Sequence, residues 1–194
     1  GMETATQFLL DLAMKDKLIA DTLDRKNAVE SYVYETRDAL DMHLSEFITG
    51  EDKSTFQAAL DEAEDWLYGD GENGTKSDYV NKLSELKAMG DPVELRKVEA
   101  EKRGPALAAL KKVIADAAAF VASEEECYEH IAAEERQKVT DAIAVAQKWL
   151  DENEAAQNAK AKTDPPHFMA SAADAQVGPV QRVWRDVSSK PKPK

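Results

Sequence analysis

The sequence predicts an all-α fold, an antiparallel helical bundle that is extended by additional long helices and followed by a poorly ordered C-terminal tail. Apolar residues recur at steps of three and four along most of the 194 residues, and strand-like alternation is hard to find. A composition of 43% hydrophobic and 32% charged residues is typical of a soluble, helix-rich protein. We expect a helical domain over 1–162, with three helices in 1–92 and further helices in 93–162, and a tail over 163–194 with a short helix candidate.

The first predicted helix runs from about Thr4 to Ile48. Its second half carries an apolar stripe that should face a bundle, formed by Val29, Val33, Thr36, Leu40, Leu44 and Phe47. Its first half holds more apolar residues than one stripe needs, which suggests a surface that something else covers.

The second and third helices should complete a compact antiparallel unit. Thr49 and Gly50 can cap the second helix, which ends at the turn-rich segment 69–74. The third helix should start near Thr75 or Ser77. We expect it to stop at Gly90, because a glycine with a proline two residues later often ends a helix.

Two more helices are predicted beyond this unit. The apolar pattern resumes from Val93 to about Ser123, where the Gly104-Pro105 pair should kink or break the helix. A last long helix covers residues 132–159, and a weak helix candidate lies in the tail over 170–186.

The charge balance excludes several classes of partner. The chain has 25 basic and 38 acidic residues, a net charge of −13, so it should repel nucleic acid and anionic lipid. No apolar run reaches the roughly 20 residues that span a bilayer. A single cysteine, Cys127, cannot form an internal disulfide, which suits a reducing compartment.

No catalytic or metal-binding pattern is visible. None of the three histidines follows a glutamate by three residues, as a di-iron bundle site needs, and one cysteine is too few for a zinc site. The acidic loop beginning at Asp70 lacks the glycine and the final carboxylate of a calcium loop, and no phosphate-binding loop occurs. We therefore predict no cofactor and no enzymatic activity; a metal enzyme would instead retain stoichiometric metal after purification.

Three ordered motifs resemble the heat shock protein 110 family, the large relatives of the heat shock protein 70 chaperones. They are RKNAVESYVYETRDAL at 25–40, EDWLYGDGE at 64–72 and YVNKLSELK at 79–87, with Gly90 and Pro92 following. The closing SKPKPK also looks like the tail of that family.

The resemblance implies the carboxy-terminal helical part of a cytoplasmic chaperone of the heat-shock stress response. Such proteins act as nucleotide exchange factors that grip the ATPase domain of a heat shock protein 70, and they hold unfolded polypeptide clients. ATP binding would belong to the parent protein only. A β-sandwich that is missing from this segment would explain the surplus of apolar residues before residue 20.

The first helix also supplies the candidate residues for binding a partner. Because Val29, Val33 and Leu40 should point inward, other positions remain for an outward surface. The candidates are Asn27, Glu30, Tyr34 and Arg37. The resemblance places Asn27 and Glu30 in the family's partner-facing stretch, and a merely solvated helix face stays open as the alternative.

A structural spacer or interaction module of spectrin-like or coiled-coil type is the competing interpretation. Such a spacer should sustain uninterrupted heptads past the turns expected at 69–74 and 90–92.

Overall fold

The computed structural model describes residues 2–194, and its regular secondary structure there is entirely helical, which confirms the all-α prediction. Short 3-10 turns lie at Ser45–Phe47 and Glu126–Tyr128. The α-helices are α1 (Met2–Asp41), α2 (Gly50–Tyr68), α3 (Lys76–Val121), α4 (Ala133–Asn158) and α5 (Ala170–Ser188). The chain divides into two compact units, one through Leu95 and one from Arg96 to Lys194.

In the first unit, α2 begins and ends as the sequence predicts. The hydroxyl of Thr49 accepts a hydrogen bond from the backbone N–H of Asp52 at 3.1 Å, which caps the helix. The predicted inward positions of the helix are all buried: Phe56, Leu60, Ala63 and Leu67. α1 ends at Asp41, earlier than predicted, and the chain reaches α2 through a 3-10 turn.

The turn between α2 and α3 is held by a buried tyrosine. The hydroxyl of Tyr79 donates to the carbonyl of Gly71 at 2.6 Å and accepts from the N–H of Gly74 at 3.1 Å. The ring of Trp66 packs edge-on against Tyr79 with centroids 5.6 Å apart. Glycine is required at 71, because a Cβ there would collide with the Trp66 ring.

The predicted end of the third helix at Gly90 is wrong, because α3 continues through this residue to Val121. Gly90 is buried, and a Cβ at this position would overlap the hydroxyl of Tyr32 and lie 3.1 Å from Cζ of Phe56. The glycine therefore serves a close approach of α1 and α2 to α3 rather than a helix end.

The prolines do not end α3 either, and the break considered at Gly104-Pro105 does not occur. A proline inside a helix removes the donor for the carbonyl four residues earlier. For Pro92 and Pro105 those carbonyls belong to Ala88 and Glu101, which are both exposed. Water can therefore take the place of the missing donors.

The second unit is built from the end of α3, α4 and α5. Its core is a cluster of buried residues: Leu110, Val113, Ile114, Ala117, Phe120, Ile131, Val139, Ala146, Leu150, Val180 and Val187. Arg136 closes the α3–α4 connection by donating to the carbonyls of Val121, Ser123 and Tyr128 at 2.8–2.9 Å.

Residues assigned from sequence to a poorly ordered tail form α5, which packs against α4. Ala173, Val180 and Val187 recur at steps of seven and are each at most 2% exposed. Small residues and the internal Pro179 weaken the apolar pattern of this helix, so its burial against α4 does not show in the sequence alone.

The first half of α1 leaves a run of apolar side chains exposed. Phe8 and Leu9 are 63% and 65% exposed, and Leu10, Met14, Leu18 and Ile19 are also more than half exposed. No described helix, α1 included, combines the length and apolar character that crossing a membrane would require.

Candidate partner-binding face

The four residues proposed from sequence share one side of α1. Asn27, Glu30, Tyr34 and Arg37 follow each other at steps of three, four and three, the spacing of a single helix face. Asn27 and Tyr34 are exposed, whereas Glu30 and Arg37 are partly covered. We call this surface, together with the α2 residues that contact it, the α1–α2 face.

Arg37 ties α1 to α2 through two carboxylates. Its Nη2 lies 2.7 Å from Oδ1 of Asp61 and also contacts Oε2 of Glu64, and its Nε donates to Asp61 at 3.2 Å. The guanidinium lies 5.9 Å from the centroid of the Tyr34 ring. Hydrogen bonds from Arg37 first, and then from Tyr34, lower the pKa of Glu64 below its ordinary value.

Two tyrosines complete the network. The hydroxyl of Tyr34 donates to Oε1 of Glu64 at 2.9 Å, and that of Tyr68 donates to Oε1 of Glu30 at 2.8 Å. Hydrogen bonding with Tyr34, followed by that with Glu30, raises the pKa of the Tyr68 phenol above its ordinary value. The orientation of Glu30 is therefore set by α2.

The α2 half of this face is not evident from the sequence alone. Asp61, Glu64 and Tyr68 lie at steps of three and four, off the buried positions of α2. Two carboxylates one turn apart are a signal for a basic partner on a neighbouring helix. Arg37 could not be identified as that basic partner without knowing that α1 and α2 pack together.

The polar groups of the face are joined in a network of hydrogen bonds and ion pairs. Its charged groups are one guanidinium and three carboxylates, of which Glu64 and Asp61 are engaged by Arg37 and Glu30 by Tyr68. Across residues 2–194, no group of three His, Cys, Asp or Glu residues is placed to hold a metal ion. The face offers hydrogen bonds and negative charge on a surface fixed by two helices.

Comparisons with known proteins give this face a family context. The family model described as Hsp70 protein matches residues 9–99, which include the whole face. The chain is 38% identical over 192 residues to Heat shock 70 kDa protein 15 of Arabidopsis thaliana and 35% identical over 186 residues to Heat shock 70 kDa protein 4 of Homo sapiens. It is 33% identical over 183 residues to the 97 kDa heat shock protein of Mesocentrotus franciscanus.

These alignments cover almost all of this chain and a minor part of each relative. They include 99%, 94% and 93% of the chain, respectively, but only 23%, 22% and 21% of the three relatives. No solved structure matches the chain.

Proposed function

Because the chain belongs to the heat shock protein 70 family, in its large heat shock protein 110 branch, we propose that it is a helical binding module of a chaperone. In this proposal the module helps to grip the ATPase domain of a partner heat shock protein 70, which opens the cleft and lets ADP leave. The parent protein also holds unfolded polypeptide clients. The observation that carries the proposal is the α1–α2 face, a polar surface whose exposed groups are oriented by contacts with a second helix.

The four candidate residues have different parts in this proposal. In this proposal Asn27 and Glu30 contact the partner, since Asn27 is exposed and Tyr68 fixes the orientation of the partly exposed Glu30. Tyr34 and Arg37 position the surface, because their polar groups are engaged by Asp61 and Glu64 of α2. Charge on such a face mainly sets the association rate and the choice of partner.

The exposed apolar half of α1 has a separate role in the proposal. Phe8, Leu9 and Leu18 are more than half exposed, which is unfavourable for a surface that stays in water. In the longer protein a β-sandwich packs on this surface. The module itself catalyses nothing, ATP binds elsewhere in that protein, and the site of action is the cytoplasm.

ADP release from a heat shock protein 70 tests the proposal. The longer protein carrying Asn27→Tyr with Glu30→Ala should accelerate release about fivefold less than the unmodified protein, the effect of losing two contacts near the centre of an interface. A matched control carries Asn81→Tyr with Glu85→Ala on exposed positions of α3. Normal release and normal complex formation by the Asn27 variant, with its helix content intact, would contradict the assignment.

A structural spacer is the second candidate, and the 46-residue α3 favours it. The turn at 69–75 separates α2 from α3 and does not belong to a continuous rod. The two candidates differ in what the module does for exchange. If a rod of unrelated sequence and equal length replaced the module without loss of ADP release, the spacer would be supported and the binding role contradicted.

A further inference from the structure

A groove lies between α1 and α3 of the first unit, away from the α2 residues of the α1–α2 face. It has a volume of about 370 Å³. Its apolar lining includes the ring of the buried Tyr79, the half-exposed Val80 and Leu83. Arg25 comes from α1 and Lys87 from α3, so that a cation from each helix lines the same depression.

These two cations differ from their neighbours in forming neither an ion pair nor a hydrogen bond. Between residues 20 and 95, Arg37, Lys53, Lys76 and Lys82 form ion pairs, and Lys26 donates to a backbone carbonyl. Arg25 and Lys87 are the two basic residues of that described stretch with no hydrogen bond or ion pair. Asp91 lines the same groove one turn after Lys87, but it forms no ion pair with either cation, which leaves both open to a carboxylate from outside.

The groove also presents polar groups that can meet a peptide backbone. Ser84 and Asp91 line it together with Ala88. Pro92 has no N–H, which leaves the carbonyl of Ala88 without its usual helical donor. An N–H of a bound peptide can donate to Asp91 or to this carbonyl, and the serine hydroxyl can donate or accept.

We propose that this groove docks an acidic peptide segment whose carboxylates flank an aliphatic side chain. The aliphatic side chain packs on Val80 and Leu83, and the carboxylates pair with Arg25 and Lys87. Charge complementarity favours this occupant, because the two unpaired cations outnumber the one carboxylate of the groove, Asp91, and lie beside an apolar surface. The groove is independent of the contact proposed for the α1–α2 face, so either assignment can fail without the other.

Nuclear magnetic resonance titration of the ¹⁵N-labelled chain with acetyl-Glu-Glu-Leu-Glu-Glu-amide tests the groove. Saturable shifts are expected for the amides of Val80, Leu83, Ser84 and Lys87. Replacing the peptide's leucine by glycine should weaken binding, because the buried apolar contact is lost. Shifts that scatter over the whole surface, or equal shifts caused by inorganic phosphate alone, would overturn the proposal.

Charge-reversal variants provide the second arm. Arg25→Glu with Lys87→Glu should weaken peptide binding at least about tenfold at low salt, since two attractive pairs become repulsive. Lys15→Glu with Lys17→Glu changes the net charge by the same amount on exposed positions outside the groove and should leave affinity within about twofold. Equal weakening of peptide binding by both double variants would show that net charge alone controls the affinity, and it would refute a defined site. Circular dichroism of each variant verifies that the helices remain folded.

Discussion

Replacing Gly90 by alanine tests the packing of α1 and α2 against α3. In an ordinary exposed helix position alanine is more stable than glycine by about 1 kcal/mol. At Gly90 the new Cβ would overlap the Tyr32 hydroxyl and lie 3.1 Å from Cζ of Phe56. Overpacking of this kind costs about 1–3 kcal/mol, so after the gain in helix propensity we expect Gly90→Ala to lower the free energy of unfolding by up to about 2 kcal/mol.

A double-mutant cycle assigns this cost to one contact. Tyr32→Phe removes the hydroxyl, after which the Cβ at 90 would meet Cζ of residue 32 at 3.4 Å, an ordinary contact. Gly90→Ala should therefore cost at least about 1 kcal/mol less in the Tyr32→Phe background than in the native one.

Urea unfolding followed by circular dichroism measures these differences, and Gly104→Ala is the matched control. Gly104 lies in the same helix with nothing within 4 Å of a Cβ, so alanine there should stabilise α3 by about 0.5–1 kcal/mol. If Gly90→Ala stabilised the protein as Gly104→Ala does, the close approach of Tyr32 would be refuted. Absence of coupling with Tyr32→Phe would point to the same conclusion.

Three further predictions concern buried hydrogen bonds and charge. Tyr79→Phe should lower the free energy of unfolding by about 1–3 kcal/mol in urea, because the carbonyl of Gly71 loses a buried donor; an unchanged midpoint would contradict this. Arg136→Lys should lower the free energy of unfolding by about 1.5–3 kcal/mol and increase hydrogen exchange in the α3–α4 connection, because one ammonium nitrogen cannot take the places of both Nη1 and Nη2; unchanged exchange there would contradict the role. The pKa of Glu64 is lower in the folded protein than its ordinary value of 4.5, so the ionised Glu64 stabilises the fold above pH 4.5, and this stabilisation is lost as the pH falls through the folded pKa. Arg37→Met should therefore lower the free energy of unfolding near neutral pH but lose this deficit in acid. A deficit that does not change with pH would refute the pairing.

The helical class of the fold could be predicted because its signal is local. Steps of three and four in the apolar pattern place Phe56, Leu60 and Leu67 on one side of α2, and those residues are buried. Thr49 marks the start of α2 through its side-chain hydroxyl, and the glycines of 69–74 mark its end through their backbone freedom. Such signals need no knowledge of which helices pack together.

The continuation of α3 past Gly90 and Pro92 could not be predicted in this way. Gly90 and Pro92 carry a helix-stop signal, but the space beside Gly90 is taken by Tyr32, a residue 58 positions earlier. The same limit applies to the candidate face, because α1 alone gives Tyr34 and Arg37 without the α2 carboxylates that hold them. Tertiary contacts decide in both places what the local signal means.

The most direct test of the proposed binding role is site-specific photocrosslinking of the α1–α2 face. A photoreactive side chain at position 27 of the longer protein should crosslink to the ATPase domain of a heat shock protein 70, and the same group at the exposed Asn81 of α3 should not. The reverse result, or no crosslink from position 27 within an intact complex, would contradict the account.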